Sequence, residues 1–552
     1  MARDRLRIIP LGGLGEIGRN MMAVEYGNEI VVIDAGVLFP DENMPGVDFI
    51  IPDITYLVEN KEKVKAVLIT HGHEDHTGAL PYVLPELGAP LYASRLTHGL
   101  IAVKLREHGH LKTSRLNVVE PHQPFKVGGF RVEFFRVCHS IPDAMGIALT
   151  TPLGTIIHTG DFKIDHTPVD GQPTDFLKLA ELASRGVLLL CSDSTYAEVE
   201  GYTLSERVVG EALDHFIAQA EGRVMVATFA SLISRMQQVI DAAVKYGRKV
   251  AVVGRSMSNN LNMAINMGYL DVPPDTIVSL NEATRLPRNQ VVILATGSQG
   301  EPTSALVRIA NGEHQDVEIE QGDLVVISAS PIPGNETVVS KTIDNLYRRG
   351  AKVLYSRIGL VHVHGHGSRE ELKLMLNLVR PKFFVPVHGE HRHLVTHAAL
   401  AQEVGVPPEN TFVLDDGDVL ELTEEEGRVV GQVPAEYMYV DGQRVWAKGG
   451  QVLDERTKLS RDGVVVVSAV LDRETGEALK SPKVASSGFV GRGETQELFE
   501  KVSEMVQTLL DQRGKRALEL DKVKAEVNSA VSDLLYKETR RRPTVLTLLD
   551  RV

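Results

Sequence analysis

The chain has 552 residues, too many for one compact core, so several domains are expected. Hydrophobic residues make up 43% and charged residues 24%, which excludes the disordered and fibrous classes. A net charge of −14 argues against a protein that coats nucleic acid through bulk positive charge, although a strand gripped in one local cleft stays compatible. Cys138 and Cys191 are the only cysteines, so neither a disulfide framework nor a thiolate zinc site is available. Any metal must be held by carboxylates and by some of the 19 histidines. No apolar run is long enough to cross a bilayer, and the start MARDRLRIIPLGG lacks the apolar stretch of a signal peptide. A cytoplasmic protein with no membrane partner is expected.

In chain order, RLRIIPLGG, NMMAVEYGNE and EIVVIDAG read as short strands between glycine turns. Gly13-x-Gly15-x-x-Gly18 formally matches a dinucleotide-binding fingerprint, but two strands follow it instead of a helix. It is read as a tight glycine loop lining a cleft. KVKAVLIT (63–70), FRVEFFRVCH (130–139) and GTIIHTGD (154–161) are further strands, with helical TGALPYVLPEL and LTHGLIAVKLREHG among them. From about 187 strands and helices alternate through VLLLCSDS, SERVVGEALDHFIAQAEG, RVMVATF, SLISRMQQVIDAAVKYG and KVAVVG. After a less regular stretch come QVVILATG, DLVVISAS, NETVVSKTIDNLYRRG and AKVLYS. That rhythm predicts a parallel α/β sheet covered on both faces.

Past 358 the His-rich style returns, so residues 206–357 read as an insertion into a domain formed by 1–205 and 358–447. The polar KGGQVLDERTKLS suggests a linker over 448–460. Residues 461–552 read as a small α+β domain.

The strongest chemical signal is His71-Gly72-His73-Glu74-Asp75-His76, directly after a buried strand. Imidazole and carboxylate suit Zn or Mn, and four potential ligands in six residues suggest two neighbouring ions. The bland alternative is a solvated polar loop. His139, Asp161 and His388 each follow an apolar strand in the same way; singly, each is an ordinary polar strand end. Two cations roughly 3.5–4 Å apart acidify a shared water and offset the charge of a phosphodiester. The same cage serves lactam or thioester hydrolysis equally well.

His71-x-His73-x-Asp75-His76, His139, Thr159-Gly160-Asp161 and His388 resemble the successive motifs of the metallo-β-lactamase superfamily. The resemblance implies an αββα sandwich. It implies one metal on His71, His73 and His139, another on Asp75, His76 and His388, and Asp161 between them. Asp34 matches an aspartate that supports the metal loop. The inserted α/β block resembles the β-CASP group, which acts on nucleic acids. Ser192-Asp193-Ser194-Thr195, Gly365-His366-Gly367-Ser368 and Pro386-Val387-His388-Gly389-Glu390 resemble its motifs. Asp193 alone would read as a turn or helix cap. Beside the metals it would orient His366, which would donate a proton to the leaving 3′ oxygen, giving Asp75, Asp193 and His366 catalytic roles.

Within that group GGLGEIGRNM, VLITHGHEDHTGALPYVL, TGDFKID, ATFASLISR, SPIPGNE, HVHGHGSREELKLMLNL and PVHGEHRHL are similar to the ribonuclease J family. The resemblance implies 5′→3′ exonuclease action favouring a 5′ monophosphate on single-stranded RNA, together with endonuclease action. It also implies roles in rRNA processing and mRNA decay, homodimers or homotetramers assembled with help from the C-terminal domain, and contact with other RNA-decay proteins. A 5′-phosphate pocket is expected from Ser231, His362, Val363, His364, Gly365, His366 and Ser368. Ser231 is expected to open the helix SLISRMQQ, where an N-terminus favours anions, and helix capping is the alternative for the two serines. Position 364 departs from the family, where a small hydroxyl residue is expected, and a titratable ring there would alter phosphate recognition. Asp48 and Asp441 resemble ligands of a further structural divalent ion, although turn aspartates are common. Rival readings are a DNA-directed β-CASP nuclease, a small-molecule metallo-hydrolase and a catalytically silent RNA-binding subunit.

Overall fold

The β-branched runs form two sheets that bury their inner faces against each other. The first has the strand order Gly427–Gln432, Asp418–Leu422, Leu6–Gly12, Met21–Tyr26, Glu29–Ile33, Val64–Leu68, Leu91–Ala93, Leu116–Val118. The second runs Phe383–Val387, Val187–Asp193, Gly154–His158, Met145–Thr151, Phe130–Arg136, Phe125–Val127. Ile8, Val24 and Val31 of the first sheet share one buried cluster with Phe134, Ile147 and Val385 of the second. The computed structural model describes residues 5–552 except 42–43, 301–303, 332–334, 443, 448–450, 492–494 and 514–519. Part of the SPIPGNE segment and the start of the expected linker therefore lie outside the described residues.

Strand direction decides where the polar strand ends emerge. In the second sheet Gly154–His158, Val187–Asp193 and Phe383–Val387 are mutually parallel, with His158 opposite Cys191 and Asp193 opposite Val387. Phe130–Arg136 is antiparallel to Met145–Thr151, which is antiparallel to Gly154–His158, so it shares their direction. His139, Asp161, Asp193 and His388 thus leave the same edge of one sheet. Asp34 and His71 leave the carboxyl ends of the parallel strands Glu29–Ile33 and Val64–Leu68 in the other.

The insertion forms its own parallel sheet, in the order Lys249–Val253, Val291–Ala295, Val224–Ala227, Leu324–Ile327, Lys352–Leu354. Val224 and Val226 enter one buried cluster, whereas Met225 and Ala227 enter another, as two covered faces require. The first of those clusters also contains Leu96, Phe135 and Phe162, so the insertion shares a core with the sandwich. The less regular stretch of the sequence holds a helix, Arg255–Asn266. Its serines and asparagines are poor helix formers, and only Met257, Leu261 and Ala264 at helical spacing are buried.

The chain forms two compact units. One comprises Met1–Phe39 and Phe49–Met438; the other comprises Pro40–Asp48 and Tyr439–Val552. The second unit thus starts at Tyr439, ahead of the expected boundary at 447. The expected linker over 448–460 is corrected, because Gln451–Asp462 is a helix. Its described residues are all at least partly exposed, and so polar a helix resembles a linker in composition. In the second unit Val464–Leu471 lies between Lys483–Ser487 and Thr544–Arg551. Val465, Val467, Ala469 and Leu471 alternate into a core with Val502 and Val506 of helix Thr495–Arg513 and Val527 and Val531 of helix Leu520–Thr539. Among the described residues no helix is long and apolar enough to cross a membrane.

Candidate active site

The strand-end residues converge as two adjoining groups. His71, His73 and His139 form one, and Asp75, His76, Asp161 and His388 form the other, with Asp161 and His388 also grouped with Asp193 and His366; within each of these sets the candidate ligand atoms lie within 4.8 Å of one another. Asp161 Oδ2 adjoins both, at 3.2 Å from His76 Nε2, 3.6 Å from His71 Nε2 and 3.8 Å from His139 Nε2. His388 Nδ1 is 2.7 Å from the other oxygen of Asp161. All seven sequence-predicted ligands are thus brought together.

The donor set fits a pair of divalent cations. A tetrahedral ion with metal–nitrogen bonds of about 2.0–2.1 Å holds its ligand nitrogens roughly 3.3 Å apart. His73 Nδ1 lies 3.0 Å from His71 Nε2 and 3.1 Å from His139 Nε2, which approaches that spacing. His388 Nε2 is buried with no hydrogen-bond partner, 3.5 Å from Asp75 Oδ2, where a cation would satisfy both.

Surrounding groups fix the rings. Asp34, in a left-handed conformation with φ 60°, accepts from Thr70 N and Thr70 Oγ1 at 2.8 Å each and pairs with His76 Nδ1 at 2.7 Å. His139 Nδ1 faces the carbonyl of Gly365 at 2.8 Å, leaving Nε2 turned towards the cluster. His388 also has a left-handed backbone, φ 52°.

Electrostatically the groups differ. Burial holds His71 and His139 well below the usual histidine range and brings His73 down to about 4, so these rings are neutral and free to accept a cation. At His76 burial acts the same way, but Asp161, Asp75 and Asp34 outweigh it and raise the ring well above its usual range. Burial alone would raise Asp161; His388 and His76 outweigh it and hold the carboxylate well below its usual range.

Asp193 makes the contacts of both readings. Its Oδ1 accepts from Thr195 N and Oγ1, closing a turn, while Oδ2 pairs with His366 Nδ1 at 2.8 Å. Burial would lower His366, but Asp193 outweighs it and lifts the ring to about 9. The His366 ring stands 5.0 Å from that of His139 and 5.5 Å from that of His388.

The expected phosphate residues are placed unevenly. His362 Nδ1 is buried without a partner, and the ring is lowered to about 3 by burial with Arg235 nearby. His364 stacks on Tyr196 at 3.7 Å and 8°, with Nδ1 2.9 Å from the carbonyl of His366. Val363 is buried and Gly365 sits against His139, where a Cβ would lie 2.5 Å from the ring. Ser368 is buried; its amide donates to Glu371 Oε2 and its hydroxyl lies 3.0 Å from Thr203 Oγ1, the geometry of a helix start. Ser231 lies in a turn two residues ahead of helix Ile233–Lys245, whose N-cap is Leu232 with no side-chain cap bond, so the expectation that Ser231 opens the helix is corrected. Asp48 accepts from Gly442 N and Asp441 pairs with Arg456; among the described residues the two join no metal-holding group.

Sequence reasoning missed Tyr196, Asn20 and Glu371. Glu371 is fully buried and accepts from the amides of Ile164, Thr203 and Ser368, tying the metal edge to the histidine loop. Tyr196 follows the Asp193 motif directly and Asn20 follows the glycine motif, so adjacency was the one available signal.

This fold and site define a metal-dependent hydrolase of the metallo-β-lactamase superfamily, and the superfamily model matches residues 14–204. Models described as the ribonuclease J beta-CASP domain, a Zn-dependent metallo-hydrolase RNA specificity domain and the ribonuclease J C-terminal domain match 221–346, 351–414 and 451–552. The chain is 45% identical to ribonuclease J of Thermus thermophilus over 99% of its own length and 95% of that chain. It is 42% identical to ribonuclease J 1 of Streptococcus pyogenes over 99% of its own length and 98% of that chain. The chain belongs to the ribonuclease J family and is a metal-dependent ribonuclease. A crystal structure of an Enterococcus faecalis protein of unknown function shares the fold, with a TM-score of 0.57, 16% identity and coverage of 76% of this chain and 100% of that one.

Proposed function

We propose that the protein degrades and matures single-stranded RNA as a 5′→3′ exonuclease favouring 5′-monophosphate ends, and that it also cuts internally. The observation carrying this reading is the Asp193–His366 pair beside the clustered ligands. A bound pair of Zn or Mn ions, held by His71, His73 and His139 and by Asp75, His76 and His388 with Asp161 between, would supply charge against the phosphodiester and acidify a water. His366, held protonated by Asp193, is a proton donor for the leaving 3′ oxygen. His139 and Asp161, bonded to Gly365 and to His388, keep the reacting face aligned with that donor.

Recognition of the 5′ phosphate falls to the half-buried Ser231, His362 and His364 and to the backbone of Val363 and Gly365. The unpaired Nδ1 of His362 is a buried polar atom that a phosphate would satisfy. Arg235 binds the carbonyl of Val361 at 3.0 Å, tying the helix after Ser231 to this loop. Assembly as a homodimer or homotetramer is proposed through the second unit, where Leu546 and Leu548 are 50% and 56% exposed on one strand.

End-labelled RNA carrying a 5′ monophosphate, triphosphate or hydroxyl tests the reading. Mononucleotides released mainly from the monophosphate substrate are expected. Equal release from all three ends would remove the 5′-end preference, and no release of mononucleotides from any of them would overturn the exonuclease reading.

A further inference from the structure

The glycine motif Gly13-x-Gly15-x-x-Gly18 has no part in the chemistry above, yet its backbone touches two segments that supply ligands to the second cluster. On one side Leu14 and Gly15 pair in parallel with Gly389 and Glu390, the residues directly after His388. On the other, the loop ends at Arg19 and Asn20 beneath the turn that carries Asp75 and His76. Asn20 N donates to the Asp75 carbonyl at 3.0 Å, and Asn20 Nδ2 donates to the same oxygen at 3.1 Å. That Nδ2 is also 3.2 Å from His76 Nε2. Val37 N takes the carbonyl of Glu74 at 3.1 Å and Ala35 N takes that of His76 at 2.8 Å. Three successive carbonyls of the metal turn are therefore held from residues 20 and 35–37.

Such close approach needs the glycines. A Cβ on Gly12 would lie 2.1 Å from Arg19 O, and one on Gly13 would lie 2.4 Å from Asn20 Oδ1. One on Gly36 would lie 1.5 Å from the Asp75 carbonyl. Arg19 pins the loop: its buried guanidinium meets Glu16 and Asp416 at 2.7 Å each and lies 4.7 Å from the Tyr437 ring centroid. Among the described residues no hydrogen bond joins residues 12–20 to His71, His73 or His139.

We propose that the Gly13–Asn20 loop is a positioning frame for the second metal site alone, and that Asn20 is the side chain that orients Asp75 and His76. This rests on the two-metal reading. Partners that orient ligands typically carry about 10- to 100-fold in metal affinity.

Metal-free protein titrated with Zn²⁺ against a chromophoric chelator, without RNA, tests it. Wild type takes up two ions, and His139→Ala identifies the uptake belonging to the first site. Asn20→Ala is expected to keep that first uptake at wild-type affinity and weaken the other about 10- to 100-fold. Asn20→Ser, small and polar, guards against misfolding and shows the same one-sided loss, with circular dichroism unchanged. Wild-type affinities at both sites, equal loss at both, or unfolding of both variants would overturn the proposal. Fewer than two ions on wild type would overturn the two-metal reading as well, and that failure shows before any substitution is made.

Discussion

The two halves of the metal cluster adjoin each other but are organised by opposite means. His71, His73 and His139 contain no carboxylate, and burial keeps their rings neutral and ready to accept a cation. The second group is held by charge: Asp161 stays ionised because His388 and His76 face it, and His76 is raised by Asp161, Asp75 and Asp34. The first group is therefore set by desolvation, and the second by paired charges. Removing a neighbour should disturb the second more than the first.

Asp161 is the shared point, so breaking it should erase the distinction. Asp161→Ala is expected to abolish uptake of both ions and to lower RNA turnover by about 10³-fold or more, read by metal content and kcat. Uptake of even one ion at wild-type affinity would show that the two groups are independent. Next in size, His366→Gln should leave both ions bound and lower kcat by about 10²- to 10³-fold, since only the proton donor is lost. Loss of metal in that variant would move His366 from proton donor to ligand.

His397 sharpens the desolvation half of the comparison, because it is a buried imidazole outside both groups. Burial lowers it to about 3, below its unfolded value near 6.5. The unfolded chain therefore binds a proton that the folded chain refuses. This group's stabilisation is full above about pH 6.5 and is lost as pH falls towards 3, at up to about 1.4 kcal/mol per pH unit. His397→Gln should flatten that slope in urea melts at pH 4–6.5; an unchanged slope would mean the ring titrates normally. The smallest effect is expected from His364→Ser. The lost stack on Tyr196 is worth about 0.5–1.5 kcal/mol, so the ratio of monophosphate to hydroxyl ends should change by no more than about tenfold. An unchanged ratio would remove His364 from the phosphate site.

Legibility in the sequence followed locality. His71 to His76 form one loop, and the strands before His139, Asp161 and His388 alternate strongly enough to be read. Helix Arg255–Asn266 escaped because its polar residues mask three buried positions, and helix Gln451–Asp462 escaped because none of its described residues is buried. Ser231 was assigned to a helix start that lies two residues further on, since a cap is fixed by backbone angles that composition does not carry. The glycine motif was visible but mute: Leu14 pairs with Gly389 across 375 positions (14 to 389), and Asn20 meets Asp75 through a loop hydrogen bond.

By itself, then, the sequence determined which residue types stand at strand ends, and hence that a divalent metal here would be met by histidine and carboxylate. Tertiary structure decided how they are grouped. Asp161 faces His388 across 227 residues, and their meeting depends on parallel strands leaving one sheet edge in register. Ligand chemistry resides in single side chains and can be read one at a time. Convergence is a property of strand direction and register, which only the packed sheets establish.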